Sequence, residues 1–351
     1  MKIRTLQLAA ANVRNLVAQK LYLKTGIDFT RPVQIYGLIN IRCNAKCRMC
    51  NCWRSADPVE LPASTWIRCL GQLKKLSGTF NINFSGGEPL IKRDLFEILR
   101  YCQEQRIIAG ITTNGLLLND KNIQQLLECQ IYNINVSLDS MIDEIHDSIR
   151  GVPGCLKRVT RNVENLLREK EKTGSKVSVL IKPMVCAENL RDIHKIAEYA
   201  KDIGASGVSY QPIFEWSEES KEMSSIDPSL LREVVDRLIK MKKDGYPILN
   251  PEPTIAQWPD YFSGKLPGPT SPCVVALRSL SIRSNGDVLL CTDHNAIIGN
   301  MAQGNIRDLW FSEKARKTRA ELVKCRKLCL RTCLIKRSFK DYVAIFKKLT
   351  R

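Results

Sequence analysis

The sequence contains no run of about 18 apolar residues, the length that a membrane-spanning helix requires. It also lacks a signal peptide, because the short apolar stretch near its start is interrupted by Asn12 and Arg14. Acidic residues are few, with 36 Asp and Glu against 54 Lys and Arg, which gives a formal net charge of +18. These features predict a cytoplasmic protein whose surface attracts anionic partners.

Acidic residues are scarcest at the two ends of the chain. Residues 1–25 hold five Lys or Arg and no acid, and residues 324–351 hold ten against the single Asp341. We interpret 1–30 and 338–351 as basic amphipathic helices, because apolar residues recur at helical spacing. Such helices either contact an acidic membrane surface peripherally or pack against the protein with a solvated charged face. We do not expect nucleic acid as a partner, because no base-reading motif accompanies the charge.

The middle of the sequence alternates between strand-like and helix-like segments. Amphipathic stretches separate six apolar runs, which span residues 34–41, 80–85, 107–113, 132–138, 176–185 and 207–213. Buried strands alternating with helices predict a parallel sheet with right-handed connections. Eight such units close a barrel. We therefore expect an α/β fold with a partial (β/α)6 TIM-type barrel over residues 31–215, whose chemistry lies at the carboxyl ends of the strands.

The chain contains fourteen cysteines, and several are clustered. In a reducing compartment, clustered cysteines indicate metal ligands rather than disulfides. Cys43, Cys47 and Cys50 follow the first predicted strand with the spacing C-x3-C-x2-C, and Cys52 is interpreted as a bystander. Three thiolates can bind three irons of a [4Fe–4S] cluster and leave the fourth iron open to an external ligand. A structural zinc site, the alternative, would normally use four ligands.

This cysteine loop and the Gly86-Gly87-Glu88 after the second predicted strand resemble the radical S-adenosylmethionine (SAM) superfamily. The resemblance implies that the open iron chelates SAM and that one electron from the cluster cleaves it to a 5′-deoxyadenosyl radical. That radical would abstract hydrogen from a substrate, with a reduced flavodoxin or ferredoxin-type protein as electron donor. The chemistry then belongs to the cofactors, and the protein supplies binding and orientation.

The same resemblance implies a set of SAM contacts. Met49, directly before the third cysteine, is expected against the adenine, and the backbone of Gly86, Gly87 and Glu88 is expected against the amino group of SAM.

Polar residues at the ends of the third and fourth predicted strands are further candidates for SAM binding. Asn114 ends the third strand, and Ser137 and Asp139 end the fourth. The resemblance implies that Ser137 and Asp139 contact the ribose or carboxylate of SAM. Arg150 is the candidate for binding the carboxylate, which suits a bidentate guanidinium. The alternative is that Asp139 caps the following helix and that Arg150 is a surface charge.

The pattern of alternating segments ends near residue 215. Residues 216–270 hold Pro/Gly-rich and acidic stretches around one predicted helix, and we interpret them as a linker or substrate-covering segment. Residues 271–337 begin with two apolar runs around Asn285-Gly286, a strong hairpin signal.

A second cysteine cluster lies in this last region. Cys273, Gly286 and Cys291 have the spacing C-x12-G-x4-C, which resembles the SPASM or twitch extensions of the superfamily and implies an auxiliary [4Fe–4S] cluster. The chain then has Cys325, Cys329 and Cys333, spaced C-x3-C-x3-C, and no later cysteine, which departs from the full SPASM pattern.

Five thiols suffice for one auxiliary cluster. We expect Cys273 and Cys291 as ligands with two of the last three cysteines, Cys329 and Cys333 being favoured over Cys325. A second, partly ligated cluster and a zinc site remain alternatives, because thiolates also suit zinc.

Two substrate classes and one non-enzymatic function remain open. Peptide-modifying members of the superfamily often carry a leader-binding domain at the N-terminus, and only some 30 residues precede the predicted barrel here. This favours a small-molecule substrate, such as a sugar, aminocyclitol or lipid precursor, over a ribosomally made peptide. The auxiliary cluster would then aid oxidation or substrate binding. The non-enzymatic alternative is an iron–sulfur or zinc scaffold that binds nucleic acid.

Overall fold

The computed structural model describes residues 2–55, 59–264, 272–327 and 329–330. Eleven strands are found in these ranges: β1 (Gln34–Asn40), β2 (Asn81–Gly86), β3 (Ile108–Thr113), β4 (Asn133–Val136), β5 (Ser178–Ile181), β6 (Met184–Val185), β7 (Gly207–Val208), β8 (Gln211–Pro212), β9 (Ser279–Ile282), β10 (Asp287–Leu289) and β11 (Ile297–Asn300). The α-helices are α1 (Lys2–Thr25), α2 (Ala63–Ser77), α3 (Leu95–Glu104), α4 (Asp120–Glu128), α5 (Asp143–Arg150), α6 (Cys155–Lys172), α7 (Lys195–Asp202), α8 (Glu218–Met223), α9 (Pro228–Lys243), α10 (Glu252–Ile255), α11 (Trp258–Ser263), α12 (Ile306–Phe311) and α13 (Glu313–Leu322).

The predicted partial barrel is confirmed. Strands β1, β2, β3, β4, β5 and β7 are neighbours in chain order, and each pairs in parallel with the next. The last two predicted strands are interrupted in the structure, so that β6 and β8 form a separate two-stranded parallel sheet. Pro183 lies at the first interruption, where it has no N–H to donate to a neighbouring strand.

One face of the barrel sheet packs against the helices. Ile35 and Ile39 of β1 and Phe84 of β2 are fully buried, and the ring of Phe84 lies 5.9 Å from that of Trp66 in α2. Side chains alternate between the two faces of a strand, so the neighbours of these residues point to the concave side of the sheet.

The predicted C-terminal hairpin is present and extends the barrel sheet. Strand β9 pairs with β1 in parallel, and β10 and β11 continue antiparallel. Gly286 occupies the turn with φ +93°, a conformation that favours glycine. Cys333 and the predicted helix 338–351 lie outside the described residues.

Residues 218–263 form four helices where the sequence indicated one. Leu231, Val234 and Leu238 of α9 are buried, as is Trp258 of α11, in the same apolar core as the barrel. Apolar residues three and four positions apart give α9 one apolar face that can pack against the core. This part of the chain is therefore packed structure rather than a linker, and its predicted role in covering substrate stays a prediction.

Helix α1 packs one face on the barrel. Asn15 is buried, donates from Nδ2 to the carbonyl of Leu277 at 3.0 Å, and accepts the backbone N–H of Arg31 at 2.8 Å. Within the described residues, no helix combines the length and hydropathy needed to cross a membrane.

Candidate active site

The predicted site residues meet at the carboxyl edge of the parallel strands. The cysteine loop follows β1, Gly86 ends β2, and Asn114 and Ser137 directly follow β3 and β4. Asn114 donates from Nδ2 to Asn44 Oδ1 at 2.7 Å and lies 3.8 Å from Cys43 Sγ. The structure therefore brings the end of β3 against the cysteine loop.

Gly86 and Gly87 allow the segment after β2 to pass very close to the cysteine loop. A Cβ on Gly86 would lie 2.1 Å from the carbonyl oxygen of Asn40, and one on Gly87 would lie 2.1 Å from that of Arg42. The backbone N–H of Gly87 donates to Asn40 at 2.9 Å. Any other residue would displace one of the two backbones.

The carboxylate of Glu88 is buried and points into the protein. It accepts hydrogen bonds from Thr113 Oγ1 at 2.8 Å, from the backbone N–H of Asn114 at 2.8 Å and from that of Leu90 at 3.1 Å. Burial raises the pKa of Glu88, although these three donors favour the ionised form. The side chain thus connects the ends of β2 and β3, and only the backbone at Glu88 remains a candidate for SAM.

The thiols of the cysteine loop differ in their environment. Burial raises the pKa of Cys43 to about 11, and it also raises the pKa of Cys47, which the nearby Arg150 opposes. A hydrogen bond from the Cys52 thiol lowers the pKa of Cys50. Cys52 lies beside Cys50, and its interpretation as a bystander rather than a ligand stays a prediction. The raised pKa values of Cys43 and Cys47 keep both thiols protonated when no iron is bound. Binding of iron must therefore displace these protons.

The donor set of this loop consists of three thiols, the ligand type that binds the irons of an iron–sulfur cluster. Across the described ranges, no group of three His, Cys, Asp or Glu side chains is arranged to hold a single metal ion. Cys43, Cys47 and Cys50 would hold the irons of the cluster.

Asp139 and Arg150 form a buried ion pair, so the alternative of a helix cap and a surface charge is wrong. Asp139 Oδ2 lies 2.7 Å from Arg150 Nη2, both side chains are buried, and the residue at the N-cap of α5 is Ile142. Arg150 Nη1 donates to Cys47 Sγ at 3.8 Å. Burial opposes the charge of Arg150, but Asp139 and Cys47 outweigh it and raise the pKa of Arg150.

Other groups hold Asp139 in place. Its Oδ1 accepts the N–H of Met184 at 2.8 Å, and its carbonyl accepts Asn189 Nδ2 at 2.7 Å. Its backbone N–H donates to Nδ1 of the buried His146 at 3.1 Å. With Arg150 on its other oxygen, Asp139 holds Arg150 in position, and its contact with SAM stays a prediction. His146 and Asn189 were missed because their spacing in the sequence carries no motif.

Met49 and Ser137 lie at the same edge as the cysteine loop. Met49 is partly buried against an apolar cluster that includes Ile149, Cys186 and Met223. Ser137 is half-buried at the end of β4. Their contacts with SAM stay predictions.

The structure describes four of the five cysteines of the second cluster. Cys273, Cys291, Cys325 and Cys329 are all half-buried. Cys325 Sγ lies 3.3 Å from His294 Nε2, a partner that sequence reasoning missed although the spacing Cys291-x2-His294 suits a ligand pair. Beyond Cys329, the carbonyl of Leu330 accepts Gln211 Nε2 of β8 at 3.0 Å, so this segment reaches the barrel.

A surface cleft of about 1070 Å³ lies away from this edge. Residues that directly precede β3, β4 and β5, among them Ile107, Tyr132 and Val177, line it. None of the predicted site residues lines the cleft.

Comparison with known proteins matches two family models to the chain. Residues 39–200 match the model described as the radical SAM superfamily, and residues 273–334 match the model described as an iron–sulfur cluster-binding domain, SPASM. An AdoMet-dependent heme synthase of Methanosarcina barkeri is 28% identical over 67% of this chain and 69% of its own length. A PqqA peptide cyclase of Granulibacter bethesdensis is 22% identical over 81% and 75%.

Solved structures share the fold. The crystal structure of Streptococcus suis SuiB bound to precursor peptide SuiA superposes with a TM-score of 0.67, at 19% identity, over 85% of this chain and 68% of that one. At this identity, the likeness concerns the fold alone.

Proposed function

For this chain, which belongs to the radical SAM superfamily and carries a C-terminal SPASM domain, we propose the function of a maturase that modifies a ribosomally made peptide. The protein is an enzyme that uses SAM and [4Fe–4S] clusters. The observation that carries the proposal is the similarity to PqqA peptide cyclases, which extends over about four-fifths of the chain. It favours the peptide over the small molecule that the short segment before β1 suggested.

A heme-type substrate is the second candidate. Two AdoMet-dependent heme synthases have higher identity than the peptide cyclase, and they align with 67% and 79% of the chain against 81% for the cyclase. The two candidates differ in charge, because a porphyrin carries carboxylate groups and a peptide segment need not.

The bound cluster and SAM supply radical abstraction of hydrogen from carbon. The residues of this chain position the loops of the site. Gly86 and Gly87 hold the segment after β2 against the cysteine loop, and Glu88 ties that segment to β3. Arg150, fixed by Asp139, places a positive charge beside the Cys47 sulfur and so favours the thiolate.

The electron donor is proposed to be a flavodoxin or ferredoxin-type protein. The net charge of +18 supports this, because a strongly basic surface accelerates association with an acidic protein. Peripheral contact with an anionic membrane is also proposed, through α1 and the residues after it, where exposed apolar side chains lie beside Lys20 and Lys24.

Anaerobic reconstitution tests the function. The protein is loaded with iron and sulfide, reduced in the presence of SAM, and assayed for 5′-deoxyadenosine and for a changed mass in a set of synthetic precursor peptides. A Cys43→Ala/Cys47→Ala/Cys50→Ala variant should lose both products, and a Cys69→Ala variant, altered at a buried cysteine of α2, should keep them. Production of 5′-deoxyadenosine with modification of heme precursors, but not of peptide, would overturn the maturase proposal.

A further inference from the structure

The concave face of the barrel sheet is lined by uncharged polar side chains. The strand register aligns Ser281, Tyr36, Asn83, Gly110, Asn133 and Ser178 side by side across six strands. We call these six residues the central row. They alternate with the buried apolar residues that face the helices, so they point to the concave side.

This lining differs from that of a filled barrel. The interior of a closed (β/α)8 barrel is packed mainly with branched apolar side chains. Here Tyr36, Asn83 and Asn133 are only half-buried, so the concave side stays open to water or a ligand. Gly110 makes room for the side chain of Asn133, since a Cβ at Gly110 would lie 2.3 Å from Asn133 Oδ1.

A hydrogen-bond network joins the central row to the next layer toward the site. Asn83 Nδ2 donates to Thr112 Oγ1 at 2.8 Å, and Asn135 Nδ2 donates to Asn83 Oδ1 at 2.9 Å and to Thr112 Oγ1 at 3.1 Å. These bonds use the amide donors of Asn135 and leave its Oδ1 without a partner among the described residues. Asn83 keeps a second amide hydrogen. The Oδ1 acceptor of Asn135 and the remaining amide donor of Asn83 lie on adjacent side chains. Together they complement an amide group, which has both a donor and an acceptor.

Charge is absent from this face within the described strands. The inward positions of β1–β5, β7 and β9 hold Ser, Thr, Asn, Gln, Tyr, Gly, Leu and Ile alone. The nearest cation along β5 is Lys182, one residue past the end of that strand, at the rim. A carboxylate held against the central row, four residues along the chain from Lys182, would lose water without gaining a cation there, which is costly.

We propose that the central row, with Thr112 and Asn135, forms the substrate-binding surface and selects an uncharged segment that presents amide groups, while it rejects carboxylates. The proposal rests on the proposed function, because it assigns the substrate class of the same site. Thr112 directly precedes Thr113, which binds Glu88, so this surface leads to the edge where SAM is expected.

Binding of small probes tests this surface without turnover. Saturation-transfer NMR is recorded on the full chain with N-acetyl-Gly-Asn-Gly-amide, with the isosteric N-acetyl-Gly-Asp-Gly-amide, and with heme followed by its absorbance. The neutral peptide should bind, and the acidic peptide and heme should bind at least roughly tenfold more weakly. Asn83→Leu/Asn135→Leu, which keeps side-chain volume but removes the amides, should reduce binding of the neutral peptide by roughly tenfold. Gln124→Leu, at an exposed amide of α4, should not.

The outcomes separate this inference from the function on which it rests. Equal binding of the acidic and neutral peptides, or unchanged binding in a folded Asn83→Leu/Asn135→Leu variant, overturns the inference. If that variant loses its thermal unfolding transition, Asn135→Asp, a milder change, takes its place and should weaken the acidic peptide further than the neutral one. Selective binding of the neutral peptide, together with failure of every precursor peptide to be modified, supports the surface and overturns only the maturase proposal.

Discussion

Asp139 connects residues that are far apart in the sequence. Its carboxylate bonds Arg150 and the N–H of Met184, and its backbone bonds His146 and Asn189. A buried ion pair adds little net stability when both charges are present, but removal of one charge leaves the other uncompensated. The pair therefore serves mainly to fix the position of Arg150 beside Cys47.

Removing the negative charge of this pair should destabilise the protein strongly. Asp139→Asn should lower the free energy of unfolding by about 3 kcal/mol, because Arg150 stays buried without its counter-ion. Urea unfolding under anaerobic conditions measures this. Glu169→Gln, which breaks the exposed pair with Lys172, should cost less than about 1 kcal/mol. If Asp139→Leu/Arg150→Met proved as unstable as the sum of its single changes, the two side chains would not act as a pair.

Protonation of His146 should weaken the fold in acid. Burial, aided by Arg150, lowers the pKa of His146 to about 3. An unfolded chain binds this proton near pH 6.5, so between pH 6.5 and about 3 the unfolded state holds more protons than the native state. The contribution of His146 to stability should fall by about 1.4 kcal/mol for each pH unit below 6.5.

Comparison with a variant separates the effect of His146 protonation on stability from the effects of other titrating groups. His146→Asn offers an acceptor to the Asp139 N–H but does not titrate, so its stability should decline less steeply over the same pH range. Parallel stability-against-pH curves for the two proteins would show that His146 does not resist protonation.

The sequence did not predict which way individual side chains of the site point. The spacing of Cys43, Cys47 and Cys50 predicts three ligands on one loop, and that loop lies where the strand pattern indicates. No spacing shows that the side chain of Glu88 points inward to Thr113, or that Asp139 pairs with Arg150. Those directions depend on partners that come from other strands.

At the scale of elements, the close approach of two loops organises the site. The segment after β2 lies against the cysteine loop, and Gly87 allows this because a Cβ there would meet the Arg42 carbonyl oxygen at 2.1 Å. Gly87→Ala should therefore displace the cysteine loop and reduce the iron bound by Cys43, Cys47 and Cys50, while the auxiliary cluster keeps its iron. Iron analysis and electron paramagnetic resonance of the reconstituted protein measure both.

A matched glycine in a helix provides the control. Gly71→Ala in α2 places its Cβ 3.0 Å from the Tyr101 hydroxyl, which ends a flexible side chain, and alanine favours a helix. It should leave iron content unchanged. Equal iron in the Gly87→Ala and Gly71→Ala proteins would mean that the loop tolerates the displacement.

Helix α1 and the residues after it carry an exposed apolar surface. The side chains of Val17, Ile27 and Phe29 are more than half exposed. They lie before β1, at the end of the barrel opposite the cysteine loop, so attachment there would leave the site open. Val17→Ser/Phe29→Ser should weaken co-sedimentation with vesicles rich in phosphatidylglycerol several-fold, because it removes apolar area that would enter the membrane.

High salt tests whether charge contributes to the vesicle binding, and a control variant tests whether the binding is specific to this surface. High salt should weaken it, since Lys20 and Lys24 contribute through charge. Leu249→Ser, at an exposed leucine elsewhere, should bind like the original protein. Association that is unchanged in Val17→Ser/Phe29→Ser would exclude this surface as the contact.

Element types were easier to predict than their packing. Strands β1 to β4 lie within two residues of their predicted limits, because the apolar residues that each strand buries leave a strong pattern in the sequence. The interruption between β5 and β6 and the burial of α9 were not foreseen. Pro/Gly-rich flanks suggested a linker, but burial of Leu231 and Trp258 depends on the core that receives them.

At the scale of the whole molecule, the SPASM hairpin and the barrel share one sheet. Strand β9 covers the edge of β1, and three further contacts join the C-terminal part to the N-terminal part. Trp310 Nε1 donates to the Thr30 carbonyl at 3.0 Å, Arg319 lies 3.1 Å from Asp28, and Asn15 bonds Leu277. Arg319 is fully buried, so its charge depends on Asp28.

Deletion of residues 272–351 should therefore remove more than an auxiliary cluster. It exposes the edge of β1, leaves Asp28 without its partner, and uncovers Ile35 and other core residues that β9 shields. An unpaired, apolar strand edge promotes aggregation. We expect the truncated chain to be insoluble or to lack a cooperative thermal transition, whereas the full chain with Cys273→Ser/Cys291→Ser should stay folded and lose only auxiliary iron. A soluble truncated chain that unfolds cooperatively and still binds iron through Cys43, Cys47 and Cys50 would show that the barrel is stable alone and that the shared sheet is not required for its folding.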